Sequence, residues 1–248
     1  MWSNHSLGLW SNHIKYHGGM RTHQLVLQWI EAQLSSGLLV LGGRLPAERT
    51  LAEQLQVSRT SVREAIRVLE AMGVLRAGVG SGPEAGTVVI ADPTAALGSA
   101  LRLHVATSHL PVKDIVETRV LLESWAASRA SPDSPALAEA ARLLEQMEKC
   151  AGTEAFLALD VRFHVALADA AGNAVVSAMM GSLREAIQDY AGRLTGNLPD
   201  WDATAARLRD EHRHILAAIT GGDGGRAAQL VADHIEGYYA EAGVGPAA

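Results

Sequence analysis

Between Leu45 and Met72 the chain reads LPAERTLAEQLQVSRTSVREAIRVLEAM, and this stretch narrows the fold more than any other. Leu51, Ala52 and Leu55 form one apolar stripe at helical spacing. Val62, Ala65, Ile66 and Leu69 form a second. Each helix is too short to be stable alone, so the pair must pack against further structure. Leu55-Gln56-Val57-Ser58 supplies a turn and then an N-cap, because the Ser58 hydroxyl can accept from an orphan N–H of the following turn. With Val62, Ile66 and Leu69 inward, Arg59, Thr60, Ser61, Arg63 and Arg67 are expected to face water. An apolar side opposite a row of arginines and hydroxyls at the exposed N-terminal end suits a major groove. The spacing alone also admits a helix pair used only for packing.

The neighbouring segments complete a domain. Leu25, Leu27, Trp29, Ile30 and Leu34 suit a first helix over Gln24–Leu34, ended by Gly37. Gly42-Gly43-Arg44-Leu45-Pro46 leads into the pair, and Gly73 stops its second helix. Val74-Leu75-Arg76 and Thr87-Val88-Val89-Ile90 are short β-type runs, giving a hairpin with a long loop: a wing. A winged helix-turn-helix over residues 23–91 follows.

The net charge of −6 at first argues against a nucleic-acid partner. It is unevenly placed: residues 23–90 are neutral, residues 91–248 carry −8 and the first 22 residues carry +2. The arginine cluster is therefore free of the acidic excess. Aromatic content of 4 % disfavours an all-β sandwich. The single cysteine, Cys150, excludes an internal disulfide and a cysteine-based zinc finger, and suits a reducing, cytoplasmic setting. No apolar run is long enough to span a bilayer, so no membrane partner is expected.

Residues 1–22 repeat WSNH at Trp2–His5 and Trp10–His13 and carry His5, His13 and His17, with His23 just beyond. This composition suits a disordered extension, or an upstream start with Met20 as the natural beginning, and no function is assigned to it. Residues 244–248 read as a tail.

Residues 92–243 are helical almost throughout, interrupted at Ser108–Pro111, Ser131–Pro135, Gly152, Gly172, Gly196–Pro199 and Gly221–Gly225. These breaks delimit about seven helices joined by short connections, hence an antiparallel all-α bundle. Asn173 and Asp223 are candidate N-caps. The fold class is mainly α.

Ligand-type residues stand on the apolar faces of three of these helices. Asp160 and His164 lie one turn apart beside Phe156, Phe163 and Leu167. His212 falls in the stripe of Leu208, Ile215 and Ile219, whereas His214 is about 200° further round and faces water. His234 lies with Leu230, Val231, Ile235 and Tyr238. A single inward histidine is ordinarily a hydrogen-bonded core residue. A buried carboxylate, however, requires partners, and convergence of all four would make a three-nitrogen, one-oxygen site for a divalent metal. Zinc is the first choice, with nickel and manganese as alternatives. Arg119 is one turn from Ile115 and from Leu122–Glu123. It either clamps a ligand carboxylate beside the metal or forms a salt bridge to Glu123 or a neighbouring helix. Tyr238, Tyr239 and Trp125 read as core or dimer contacts.

Two resemblances add to this reading. Leu45-Pro46-Ala47-Glu48-Arg49, Leu51-Ala52-Glu53, Val57-Ser58-Arg59-Thr60, Val62-Arg63-Glu64-Ala65 and Leu69-Glu70 resemble the winged-helix domain of GntR-family bacterial transcription regulators, over about residues 24–90. The resemblance implies that Arg49, Ser58, Arg59, Thr60, Ser61 and Arg63 contact double-stranded operator DNA. It departs at Gln56, where the family usually has glycine, and in the wing loop from Gly78 to Gly86, which is longer than the usual turn; no wing contact is carried over. Asp160-Val161-Arg162-Phe163-His164, Glu211-His212-Arg213 and Asp233-His234-Ile235, with Glu117-Thr118-Arg119 and Leu122-Glu123 upstream, resemble the FCD ligand-binding domain of FadR-type GntR regulators, over about residues 94–242. Its metal-binding members use an Asp and three His at the places of Asp160, His164, His212 and His234; other branches bind effectors without metal.

The resemblance implies a homodimeric regulator, more often a repressor, controlled by a small carboxylate-bearing metabolite at a metal site, with Arg119 as the effector-binding candidate. Two alternatives stand beside it. One is a metal-dependent hydrolase fused to a DNA-binding domain, which would need a general base near the metal, and no spare inward carboxylate is evident. The other is a regulator whose metal is purely structural.

Overall fold

The computed structural model describes residues 22–78, 86–107 and 109–243. The WSNH repeat, most of the wing loop and the C-terminal tail lie outside them. The chain divides into two compact units, Met1–Asp92 and Pro93–Ala248.

In the first unit, α1 (Thr22–Ser35), α2 (Glu48–Leu55) and α3 (Arg59–Ala71) precede strands β1 (Leu75–Gly78) and β2 (Gly86–Val89). The strands pair antiparallel with Leu75 opposite Val89 and Gly78 opposite Gly86. Val26, Ile30, Leu51, Val62, Ala65 and Leu75 form the centre of its core. Val26, absent from the expected stripe of α1, is fully buried, while Leu25 is only half-buried. Gln56 closes α2 in the left-handed region, at φ 54°. That is the conformation glycine adopts most cheaply, so a side chain there costs about 1 kcal/mol. Ser58 caps α3 by accepting from the Ser61 N–H at 3.0 Å, and Gly73 turns the chain out of α3 at φ 69°.

In the second unit the described residues form α4 (Thr94–Ala106), α5 (Val112–Arg129), α6 (Ala136–Lys149), α7 (Thr153–Ala170), α8 (Ala174–Leu194), α9 (Trp201–Thr220) and α10 (Gly224–Glu241). Their ends follow local chemistry. Asn173 accepts from the Val175 and Val176 N–H groups ahead of α8. Asp223 caps α10 through the Arg226 N–H, and Asp200, unmarked in the sequence reading, caps α9 through the Ala203 N–H. Helix α5 packs on α10, α7 and α8, while α9 packs on α10 and α6. Phe156, Phe163, Ile187, Leu208, Ile215 and Ile235 fill the space between them.

No helix among the described residues is long and apolar enough to cross a membrane.

Candidate functional site

In the first unit, α3 buries Val62, Ala65, Ile66 and Leu69 and turns Arg59, Thr60, Arg63 and Arg67 to solvent. Ser61 corrects the sequence expectation. It is buried, and its hydroxyl meets Thr22 Oγ1 at 2.6 Å and Ser58 Oγ at 2.9 Å. The flank of α3 that carries Ser61 is covered by α1, so this hydroxyl fastens two helices rather than facing water. Arg63 Nε donates to Glu48 Oε2 at 2.7 Å, and Arg59 Nη2 lies 3.7 Å from the same oxygen. Arg49 is exposed, with Glu53 at 3.9 Å. Two of the exposed guanidinium groups therefore share one carboxylate, which an approaching phosphate would have to displace.

In the second unit, α7, α9 and α10 bring Asp160, His164, His212 and His234 together, with one ligand-type atom from each lying within 4.8 Å of the others. His214 stays outside, with its side chain 64 % exposed. Asp160 Oδ1 is 3.1 Å from His212 Nε2 and 3.6 Å from His164 Nε2. His164 Nε2 and His234 Nε2 are 3.2 Å apart. The His212 ring packs beside Phe163, with centroids 4.6 Å apart.

Two carboxylates fix the tautomers. Glu123 Oε2 lies 2.6 Å from His164 Nδ1, and Glu211 Oε2 lies 2.7 Å from His234 Nδ1. A carboxylate only accepts, so each Nδ1 must carry the proton. In the neutral rings both Nε2 atoms then present lone pairs to each other, an arrangement that repels unless a cation lies between them. His212 points the same way: both of its ring nitrogens are buried without a hydrogen-bond partner. The 3.1 Å approach of Asp160 is close enough for an ion pair but is not aligned as a hydrogen bond. Burying such a group unpaired costs about 1–3 kcal/mol. The donor set, with one His212 nitrogen turned to it and no hydrogen-bond partner on that nitrogen, therefore fits a divalent metal.

The charges agree. Burial, together with the neighbouring His234, lowers His212 to a pKa of about 4 against the partial opposition of Asp160. Burial also lowers His234, although Glu211 opposes it. Both rings are thus neutral near pH 7, the state a metal requires. Burial raises the Asp160 carboxyl, but His164, His212 and Arg184 outweigh it and hold the group well below the usual carboxylate range.

Residues outside the expected set support the four. Glu123 is buried, and beyond His164 it accepts from Arg119 Nε at 2.9 Å and Arg184 Nη2 at 3.0 Å. This corrects the expectation that no further inward carboxylate exists. The physical reason is that Arg119 and Arg184 neutralise Glu123 while the His164 ring donates to it, which removes the usual penalty for burying it. Arg184 Nη1 also donates to Asp160 Oδ2 at 2.9 Å. Arg119 Nη1 donates to the Tyr239 hydroxyl at 2.9 Å, so Arg119 is engaged by Glu123 and Tyr239 together. Glu211 is held in turn by Arg207 at 2.5 Å. The signal for Arg184 was its place in the α8 stripe of Met180, Leu183 and Ile187, all buried. Beside the four residues is a cavity of about 50 Å³ whose walls include Arg119, Asp160, Arg184, Gln188, Tyr238 and Tyr239.

Comparison with known proteins decides the family. Residues 22–84 match the bacterial regulatory proteins of the gntR family, and residues 114–237 match the FCD domain. The chain belongs to the GntR family and carries an FCD domain. It is a DNA-binding transcription regulator, with an effector-binding domain after the helix-turn-helix. It is 29 % identical over 223 residues to the HTH-type transcriptional regulator LutR of Bacillus subtilis, covering 84 % of this chain and 98 % of that protein. It is also 29 % identical over 210 residues to the putative L-lactate dehydrogenase operon regulatory protein of Escherichia coli, covering 83 % and 80 %. A solved Streptococcus agalactiae GntR structure shares 27 % identity and a TM-score of 0.62, covering 87 % of this chain and 97 % of that one. These matches are regulators and not enzymes, which removes the hydrolase alternative.

Proposed function

We propose that this GntR regulator is a cytoplasmic, homodimeric repressor whose DNA binding is controlled by a small organic acid at a metal site in the helical domain. The observation that carries the reading is the pair of tautomer-locked Nε2 atoms of His164 and His234, 3.2 Å apart. Asp160, His164, His212 and His234 hold the metal, and zinc suits three imidazoles and a carboxylate. The ion would supply a fixed positive charge and an open position to an anionic effector. Glu123 and Glu211 orient His164 and His234 from behind, the usual role of a carboxylate beyond a histidine ligand.

On the DNA side, Arg49, Ser58, Arg59, Thr60 and Arg63 meet the operator, with the N-terminal end of α3 in the major groove. Ser61, bonded to Thr22, contributes by fixing α3 on α1 rather than by direct contact. A second copy suits the exposed Leu121 and Trp125 of α5 and Val175 and Met179 of α8. These flank a small buried cluster of Ala126, Ala168 and Met180.

An acid effector agrees with the arginines and tyrosines that line the cavity next to Asp160. One relative is named for an L-lactate dehydrogenase operon, and L-lactate is a three-carbon hydroxy acid. The effector shifts DNA binding only as far as it prefers one arrangement of the dimer over the other.

Metal analysis of protein equilibrated with zinc and dialysed tests the reading. One zinc per chain is expected, and no retained zinc would sink it.

A further inference from the structure

We propose that Arg184 is the residue that receives the effector's carboxylate, and that the effector is a short monocarboxylate of two or three carbons. The inference rests on the metal and organic-acid reading above and adds to it the receptor and the size of the ligand.

Arg184 is 3 % exposed, and it lines the cavity. A guanidinium has five N–H donors. Two hydrogen bonds to side chains engage it, from Nη1 to Asp160 Oδ2 and from Nη2 to Glu123 Oε2. Its Nε has no partner. A buried cation with donors to spare, in the wall of a cavity, is suited to an anion with two oxygens. Arg119 is a weaker candidate. It too makes two side-chain bonds, from Nε to Glu123 and from Nη1 to Tyr239, but none to Asp160 and so none to the carboxylate that meets the imidazoles.

Position favours Arg184 as well. Asp160 turns Oδ1 toward His164 and His212 and Oδ2 toward Arg184. One carboxylate thus stands between the imidazole cluster and the guanidinium, and a ligand small enough to lie beside Asp160 reaches both.

Charge gives the sign of the ligand. The carboxylates of Asp160 and Glu123 are matched by the guanidinium groups of Arg119 and Arg184. A divalent cation among the histidines leaves this region with uncompensated positive charge, which is costly to bury alone. An anion in the cavity offsets it. Volume gives the size: about 50 Å³ is room for roughly three to five waters, and hence for a molecule such as glycolate or L-lactate.

The test uses the full-length, zinc-loaded protein, with zinc content measured on every sample. L-Lactate, glycolate and the neutral isostere lactamide are titrated by calorimetry against wild type, Arg184→Lys and Arg184→Gln. Arg184→Lys keeps the positive charge beside Glu123 and guards against misfolding. Saturable binding of L-lactate or glycolate by wild type is expected, with lactamide at least tenfold weaker. Arg184→Lys is expected to keep its zinc and the preference for acid over amide while binding the acids about tenfold more weakly, and Arg184→Gln to lose most of that preference. Wild-type acid affinity in both zinc-containing variants would overturn the Arg184 assignment alone. Loss of zinc from both variants would make Arg184 a support for Asp160 and overturn it too. Absence of acid binding by zinc-loaded wild type would overturn the organic-acid reading and this inference with it.

Discussion

His164 and His234 face each other through their Nε2 atoms at 3.2 Å, while Glu123 and Glu211 accept from the far side of each ring. A hydrogen bond between those two nitrogens would require one ring to be an imidazolium. Burial opposes that charge at His234. With both rings neutral, the contact has the form of two ligands of a shared cation.

His164 is buried in the site, whereas His214 is exposed. His164→Ala should lower bound zinc well below one per chain. His214→Ala should leave it unchanged, because the side chain of His214 lies in solvent near Asp210. Metal analysis after dialysis reads the difference, and equal loss from both variants would refute the site.

Glu211 gives a second prediction. Its carboxylate holds the His234 tautomer and is braced by Arg207. Glu211→Gln should weaken zinc affinity about 10–100-fold, as loss of such partners does elsewhere. Competition with a chromogenic chelator measures it. Unchanged affinity would show that the tautomer is set without Glu211.

Acidification gives the third. His212 titrates near 4 in the folded chain and near 6.5 when unfolded. Between these values the unfolded state binds more protons, so stability falls as pH falls through this window, by on the order of 3 kcal/mol in total. The depressed Asp160 carboxyl acts in the same direction at lower pH. Metal-free protein should therefore lose Tm from pH 7.5 to pH 5. Added zinc should raise Tm at pH 7.5 more than at pH 5, since protons compete for the same nitrogens. Thermal melts at the two values check both statements, and a Tm independent of pH would contradict them.

The DNA face gives the fourth. Arg59→Ala should weaken operator binding while leaving the Tm unchanged, because Arg59 is exposed. Glu48→Gln should strengthen DNA binding a few-fold at low salt, since it frees Arg63 and Arg59 from a shared carboxylate. Fluorescence anisotropy over a salt series reads both effects. Unchanged affinity in Arg59→Ala would remove α3 as the recognition helix.

Much of this molecule is written in local chemistry. The breaks at Gly172-Asn173 and Gly221–Asp223 were legible because caps and turns depend on a few adjacent residues. The inward Asp160 and His164 were legible because a residue one turn from another shares its face. Ser61 departs from its expected exposure for the opposite reason. Which flank of α3 is covered depends on Thr22, 39 positions earlier, and periodicity within one helix does not report it. Glu123 and Arg184 are not legible as a pair because their bond joins residues 61 apart. Each alone looks like a charge on an apolar helix, and only the bundle shows that they neutralise one another.

On the proposed function, metal and acid together control DNA binding. The direct measurement is anisotropy of a labelled DNA fragment, selected by the protein from a random pool, with L-lactate or glycolate added. Zinc-loaded protein should release the fragment as the acid is added, and protein stripped of metal by a chelator should not respond. Release that is the same with and without metal would contradict the account.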